Sequence, residues 1–287
     1  MKIAQYYNNG KIKLGLIDKG MLTPIDYQGD MIDLIGSGMD FKKAGDPMPV
    51  EDVKFAPAVT RPSKIIGLAF NYPSHLSESK WKRQVPEYPL IFAKFPNTLN
   101  FHRGLITWNP ALTDKVDFEG ELAVIIGRRI YECPEEKVME TIFGYTCAND
   151  VSARNIQFKD NQIVRGKSPD TFCPLGPWIV TADEVSDPHS LNMKTILNGQ
   201  VVQDINTGEM LFKLPQLINF LSMSFTLMPG DVILTGTPHG VGCFREPPLY
   251  MKDGDEIVVE IEGIGRLENR CRARNEVQGA GDETVSA

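Results

Sequence analysis

The sequence predicts a mainly β protein with some α, and three observations carry that expectation. Short runs rich in Val, Ile and Phe recur along the chain, each bounded by Gly, Pro, Asn or Asp: KIIGLAF, LIFAKF, ELAVIIG, GPWIV, DVILTG and DEIVVEIEG. Few segments read as helices, chiefly CPEEKVMETIF and KLPQLINFLSMSF. The loops G-x-G-x-x-G, G-x-x-x-x-G-K-[ST] and G-x-S-x-G do not occur, which removes the main signals of doubly wound nucleotide folds and strand-elbow hydrolases.

Taken in order, residues 1–60 read as a small N-terminal α+β domain. Turn signals at Asn8-Asn9-Gly10 and Asp18-Lys19-Gly20 separate short alternating runs, and YQGDMIDLIGSGMDF reads as one short helix. The stretch GDPMPVEDVKFAPAVTRP, rich in Pro and charge, reads as a linker into a larger domain over 61–275. Within it, Leu214, Leu217, Ile218 and Leu221 fall at helical spacing before a stop at Met228-Pro229-Gly230. The last residues, 276–287, are small and polar and are expected to be disordered.

Composition narrows the class of function. The 287 residues carry 30 Lys and Arg against 37 Asp and Glu, a net charge of −7, and no basic run stands out. Nucleic acid is therefore not an expected partner. No window offers the roughly 18 uncharged apolar residues of a membrane span, and the first residues lack the apolar core of a secretory leader. Five widely spaced cysteines with no C-x-x-C pair read as reduced thiols, so a cytoplasmic location is expected.

The most informative chemistry lies in VDFEGELAVIIG. Glu119 and Glu121 stand two apart on an expected strand, so both carboxylates point to one face, and Asp117 continues the alternation. A solvated strand edge is the ordinary reading of a lone E-x-E. The following LAVIIG instead drives the strand into the core, where paired carboxylates require a cation or a proton. Asp150, after the β-like Gly144–Cys147 stretch, would supply a third oxygen ligand for Mg²⁺ or Mn²⁺; taken alone it serves equally as a turn or helix-capping residue.

His75 and Glu78 are three apart and share a face if their segment is helical, which would make a carboxylate-oriented general base. Spacing alone favours a surface pair. The charged SESKWKRQVPEYP that follows has the composition of a lid. Thr237, in the Gly-rich loop TGTPHGVG, is a candidate carboxylate contact, with a plain tight turn as the competing reading. His189, in an Asp187-Pro188 turn, is expected at the surface, and His102 at the surface or near the site entrance.

Jointly, GLAFNYPSHLSE, PLIFAKFPNTL, VDFEGELAVIIG, GYTCANDVSARNIQ, GKSPDTFCPLGPW, LNGQVVQD, MPGDVILTGTPHGVG and GDEIVVEIEGIGRLENR resemble the fumarylacetoacetate hydrolase family, from about Lys64 to Cys271. The likeness is to its acylpyruvase and 2-hydroxyhepta-2,4-diene-1,7-dioate isomerase-like branch. It implies a mixed β-roll C-terminal domain, a homodimer, and a divalent metal, most often Mg²⁺, on Glu119, Glu121 and Asp150. It further implies a water-activating pair in His75 and Glu78 and substrate contacts from Gln157, Lys167 and Thr237. Lys94 matches a further lysine near the site, and Lys167 is the third expected catalytic residue. Asn155, where many members carry Asp, and His239, where a small or acidic residue is common, depart from the pattern.

The leading expectation is hydrolytic C–C cleavage of an acylpyruvate through a metal-stabilised enolate, with a 2-oxo acid as substrate. Oxaloacetate decarboxylation and 2-hydroxy-dienoate isomerisation or decarboxylation are the alternatives within the family. A non-catalytic metabolite-binding protein is the alternative of another class.

Overall fold

A computed structural model describes residues 1–78 and 84–274. The 276–287 tail lies outside the described residues, and so do residues 79–83 of the expected lid segment. The chain is mainly β, as expected, with two large sheets. No described helix is long and apolar enough to cross a membrane.

The larger sheet runs, edge to edge along its main path, through Lys42–Lys43, Met21–Asp26, Lys11–Asp18, Lys2–Asn8, Cys173–Thr181, Ile142–Asn149, Gly120–Ile126, Val232–Leu234, Ile65–Ala69 and Leu90–Lys94. The second has the order Gln200–Asn206, Asn192–Leu197, Glu256–Ile261, Gly265–Ala273, Leu105–Trp108. Both expected N-terminal turns form, with positive φ at Asn9 and Gly10 and at Lys19 and Gly20, the mirror-image geometry that suits strand twist. The expected short helix is Met31–Gly36, started by an Asp30–Asp33 capping box.

The N-terminal strands extend the main sheet, since Lys2 and Ile3 pair with Val180 and Ile179. The stretch read as a linker is likewise packed. Met48 pairs with Leu22, Phe55 bridges Tyr6, and Val53, Phe55, Ala56 and Ala58 are buried. Its apolar residues stand between the prolines and charges that dominate its composition, so it folds back along the N-terminal strands.

The strand Gly120–Ile126 is buried along its whole length. Leu122, Val124 and Ile126 pack with Tyr145, Ile261, Leu217 and Leu221, a layer closed by the second sheet and the helix Leu214–Ser224. Ala123 and Ile125 pack on the opposite face with Ile3, Leu14 and Leu34. This double burial explains the unbroken apolar run, and it places whatever precedes Gly120 in the interior.

Two histidines fall elsewhere than expected. His189 is half-buried, and its Nε2 accepts from Leu214 N–H at 3.0 Å, capping the helix Leu214–Ser224. His102 is buried edge-on against Phe55, 5.5 Å between ring centres, with Nδ1 accepting from Glu268 N–H. It ties the second sheet to the N-terminal layer and has no place at the site entrance.

Burial, aided by Arg103, pushes the His102 imidazole down from 6.5 to about 4. Between those values the unfolded chain binds the proton and the folded one does not, so stability is full above about pH 6.5 and declines toward pH 4. The variant His102→Gln should flatten the dependence of unfolding free energy on pH across that window, by at most about 1.4 kcal/mol per pH unit. Urea unfolding at a series of pH values measures this, and an unchanged slope would count against it.

Candidate active site

Four neighbouring strand ends build the site. In the antiparallel pair, Gly120 faces Asn149 and Glu121 faces Ala148, so Asp150, one residue beyond its strand, lies beside Glu119 and donates its N–H to Glu119 O at 2.8 Å. On the other side Ala123 pairs with Leu234, and the chain continues into Thr235-Gly236-Thr237. Leu234 in turn runs parallel to Gly67, whose strand leads into the helix Pro73–Glu78. Register alone thus gathers residues far apart in sequence.

Glu119, Glu121 and Asp150 are buried, with one oxygen of each lying within 4.8 Å of the others. Unscreened like charges at that distance cost about 3–4 kcal/mol per pair at an effective dielectric near 20. Three cations offset part of this. Lys167 Nζ donates to Glu119 Oε2 at 2.7 Å and Asp150 Oδ2 at 2.6 Å. Lys94 Nζ donates to Asp150 Oδ1 at 2.7 Å. Arg154 bridges Asp117 Oδ2 at 2.8 Å and Glu119 Oε1 at 2.7 Å.

Glu121 is left out of this compensation. Among the described residues its Oε2 accepts only Gly236 N–H at 2.7 Å, and its Oε1 is buried without a partner. Burial first, then the charges of Asp150 and Glu119, push its carboxyl well above the usual carboxylate range. Burial acts in the same sense on Glu119, but Lys167 and Arg154 outweigh it and hold that group at about 2. An oxygen-only donor set with one unpartnered carboxylate oxygen fits a hard divalent cation such as Mg²⁺ or Mn²⁺.

The dyad lies across a cleft of about 660 Å³. His75 Nδ1 and Glu78 Oε1 are 2.7 Å apart, and Glu78 Oε2 accepts Gly240 N–H at 2.8 Å. Both ends of the pair are therefore fixed, and the pair is not a surface one: His75 is buried. Its ring stacks on Phe70 at 5.6 Å and tilts against Phe244 at 5.8 Å. Phe70 holds φ +58, a conformation costing a bulky residue on the order of 1–3 kcal/mol. It turns the chain sharply out of its strand and into the helix that carries His75.

The cleft brings together His75, Glu119, Gln157, Lys167 and Thr237 from the expected set. Gln157 accepts from Arg154 Nη1 at 2.9 Å. The Thr237 hydroxyl donates to Gly120 O at 3.0 Å and accepts from Gln203 Nε2 at 2.8 Å. Lys94, expected to touch substrate, is placed behind Asp150, outside the residues lining the cleft. Its ammonium reaches Asp150, Val151 O and Lys167 O, one acceptor for each hydrogen. His239 is exposed and does not line the cleft. Asn155 ties the helix Arg154–Lys159 to the preceding loop, accepting from Thr113 Oγ1 at 2.6 Å and donating to Leu112 O.

Arg154, Phe70 and Phe244 line the cleft and were not anticipated. A signal for Arg154 existed, because it is the first cation after Asp150 in a run without other charges. The two aromatics carry no such mark.

The family described as fumarylacetoacetate (FAA) hydrolase C-terminal matches residues 64–272. Among curated relatives, the chain is 43% identical over 224 residues to the Rattus norvegicus protein named oxaloacetate tautomerase Fahd2a, mitochondrial, covering 78% of this chain and 71% of the relative. The Homo sapiens oxaloacetate tautomerase FAHD2A, mitochondrial, is 44% identical over 225 residues, with the same coverage. Among solved structures, fumarylacetoacetate hydrolase from Exiguobacterium antarcticum superposes with a TM-score of 0.85 at 35% identity, and 2-hydroxyhepta-2,4-diene-1,7-dioate isomerase from Mycobacterium marinum with 0.81 at 33%. Both matches cover 96% of this chain and all of the other.

Replacing Glu121 by Gln keeps its shape and removes the carboxylate a cation would bind. Because substitutions behind a ligand already cost metal sites roughly 10–100-fold, Glu121→Gln should weaken Mn²⁺ binding by at least about 100-fold without disturbing the circular dichroism spectrum. Titration calorimetry with Mn²⁺ checks this, and wild-type affinity in the variant would remove Glu121 from the ligand set.

Proposed function

The chain belongs to the fumarylacetoacetate hydrolase family, and from that premise we propose that it is a divalent-metal-dependent enzyme that interconverts the keto and enol forms of an oxaloacetate-like 2-oxo dicarboxylate. The observation that carries the reading is one cleft lined both by Glu119, a member of the buried three-carboxylate cluster, and by His75, whose Nδ1 is 2.7 Å from Glu78. The sequence alone put acylpyruvate hydrolysis first. The names of the relatives favour the tautomerase over it, and tautomerisation needs only a proton moved between carbon and oxygen.

Glu119, Glu121 and Asp150 would hold Mg²⁺ or Mn²⁺, which when bound supplies Lewis-acid stabilisation of enolate charge. With Glu121 deprotonated, as a bound cation would require, Asp117, Glu119, Glu121 and Asp150 would set four negative groups against the three positive ones of Lys94, Arg154 and Lys167. A divalent cation turns that balance positive, which suits a dianionic substrate. Competition for Glu119 and Asp150 would also release ammonium donors of Lys167 toward the substrate. The Gln157 amide lies beside Arg154 on the same wall and would orient the carboxylates.

Glu78, accepting the His75 Nδ1 proton, leaves Nε2 as the base. That nitrogen takes a proton from C3 of the keto acid and returns it to the developing enol oxygen, so no atom is gained or lost. Phe70 and Phe244 keep water from the imidazole faces. Lys94 acts from behind, holding Asp150 and the Lys167 carbonyl.

Hydrolysis of an acylpyruvate is the second reading, because the same dyad would equally activate a water molecule. The homodimer implied by the family is carried with the proposal, with sedimentation velocity as its test. All five thiols are free, which fits a reducing compartment, the cytoplasm included.

The test follows enol-oxaloacetate by its ultraviolet absorbance with Mg²⁺ or Mn²⁺, with an EDTA control, while coupled assays detect pyruvate. Acetylpyruvate and fumarylpyruvate are offered in parallel. Metal-dependent loss of the enol without pyruvate is the expected result; pyruvate from oxaloacetate would make the enzyme a decarboxylase, and pyruvate from acylpyruvates a hydrolase. No turnover of any, with metal bound, would defeat the proposal. His75→Ala should lower kcat roughly 10²–10⁴-fold, the usual worth of a positioned base, with Mn²⁺ affinity unchanged; a small effect on kcat would remove His75 as the base.

A further inference from the structure

The geometry points to Gln203 as the positioning residue that fixes the spacing of Glu119 and Glu121 and links them to the His75–Glu78 dyad, an inference that rests on the metal reading above. Gly120 separates the two glutamates, and Gln203 grips its peptide through a closed ring of hydrogen bonds. Gly120 N–H donates to Gln203 Oε1 at 3.0 Å. Gly120 O accepts the Thr237 hydroxyl at 3.0 Å, and Thr237 Oγ1 accepts Gln203 Nε2 at 2.8 Å. The amide also donates to Pro238 O at 3.1 Å. The ring is closed, with Gln203 Nε2 reaching His239 O as well at 3.5 Å, so its members act as a unit.

The second sheet is shaped to deliver this grip. Gln203 lies directly across from Thr195 in the strand pair, and the register shifts between Thr195 and Ile196. Such bulges re-aim side chains beside functional sites. Thr195 and Gln203 are both buried, and a Cβ on Gly120 would run into Thr195 Oγ1. Only glycine allows the two sheets to approach so closely between the glutamates.

The link to the dyad runs through the same loop. Gly236 N–H holds Glu121, and Gly240 N–H, three residues beyond Thr237, holds Glu78. One buried amide from a strand outside the catalytic layer therefore sets the metal ligands and the support of the base together. No residue of the ring is charged, so its task is geometric.

Four variants test this. Gln203→Met keeps the length and removes all four side-chain hydrogen bonds; Thr237→Val cuts the ring at one link and Thr237→Ser restores it. Asn269→Leu removes an equally buried amide that bonds Phe101 O and Gly104 O, and controls for general loss of stability. In Gln203→Met the Mn²⁺ Kd, read from the electron paramagnetic resonance of free ion, should rise roughly 10–100-fold. Amide exchange should accelerate together over residues 118–122 and 236–240. Thr237→Val should show part of both changes and Thr237→Ser neither, while Asn269→Leu should only lower the unfolding midpoint.

Wild-type Kd and wild-type exchange in Gln203→Met would overturn the assignment. So would equal shifts in Asn269→Leu. If Gln203→Met fails to fold, the Thr237 pair decides. Absence of Mn²⁺ binding by the wild-type protein would sink the metal reading separately, and coupled exchange would still decide whether Gln203 braces both segments.

Discussion

The arrangement of this molecule depends on four carboxylates that converge where water is excluded. Asp117, Glu119, Glu121 and Asp150 all lie in the interior, and the desolvation of each is worth several kcal/mol before any pairing. Lys94, Arg154 and Lys167 are the response. Each holds one or two of the carboxylates at 2.6–2.8 Å. Compensation stops short at Glu121, and that shortfall is what supports reading the cluster as a binding site rather than a structural ion-pair network. A network selected for stability alone would place an eighth charged group there, or replace the cluster by apolar residues.

A cluster of this kind holds only if the backbone around it is rigid, and the two-sheet core supplies that. The strand bearing the glutamates is sealed on both faces, so its carboxylate end cannot swing out to be hydrated. The neighbouring strand ends bring Asp150 and the Thr237 loop to it through ladder register, with the Gly120–Asn149 and Ala123–Leu234 pairs as the fixed points. Strain is confined to the connection that leaves the sheet, at Phe70, where the chain must turn to lay the His75 helix over the cleft.

Much of this was legible in the sequence because it was written locally. The Glu119–Glu121 alternation followed by an apolar run announced a buried carboxylate face, and the hairpin turns announced themselves by Asn-Gly and Lys-Gly. The role of Asp150 was ambiguous for a physical reason: nothing near it in sequence shows that Asn149 will face Gly120. Gln203 lies in LNGQVVQD, one of the segments that carry the resemblance, but its role is hidden for the same reason, since its partners stand 83 and 34 residues away. Lys94 could be placed near the site, but its direction depends on which acceptors the fold brings behind Asp150. The packed 45–62 stretch was misread because prolines and charges outweigh its few apolar residues in composition, whereas burial responds to those few.

The division of labour between sheet and cleft wall bears on chemistry. The carboxylate cluster sits on strand ends held by ladder bonds and the Gln203 ring, whereas His75 sits on a six-residue helix held by loop contacts, Gly240 N–H on Glu78 and Phe244 against His75. On the proposed reading, enolate stabilisation would belong to the first part and proton handling to the second. A change in the loop or in the reach of His75 would alter what the base attacks, whether a C–H bond or a water molecule, without disturbing the carboxylates. On that reading, hydrolases, isomerases and tautomerases would share one scaffold, the step they have in common resting on the rigid layer and the step that separates them on the short helix and its loop.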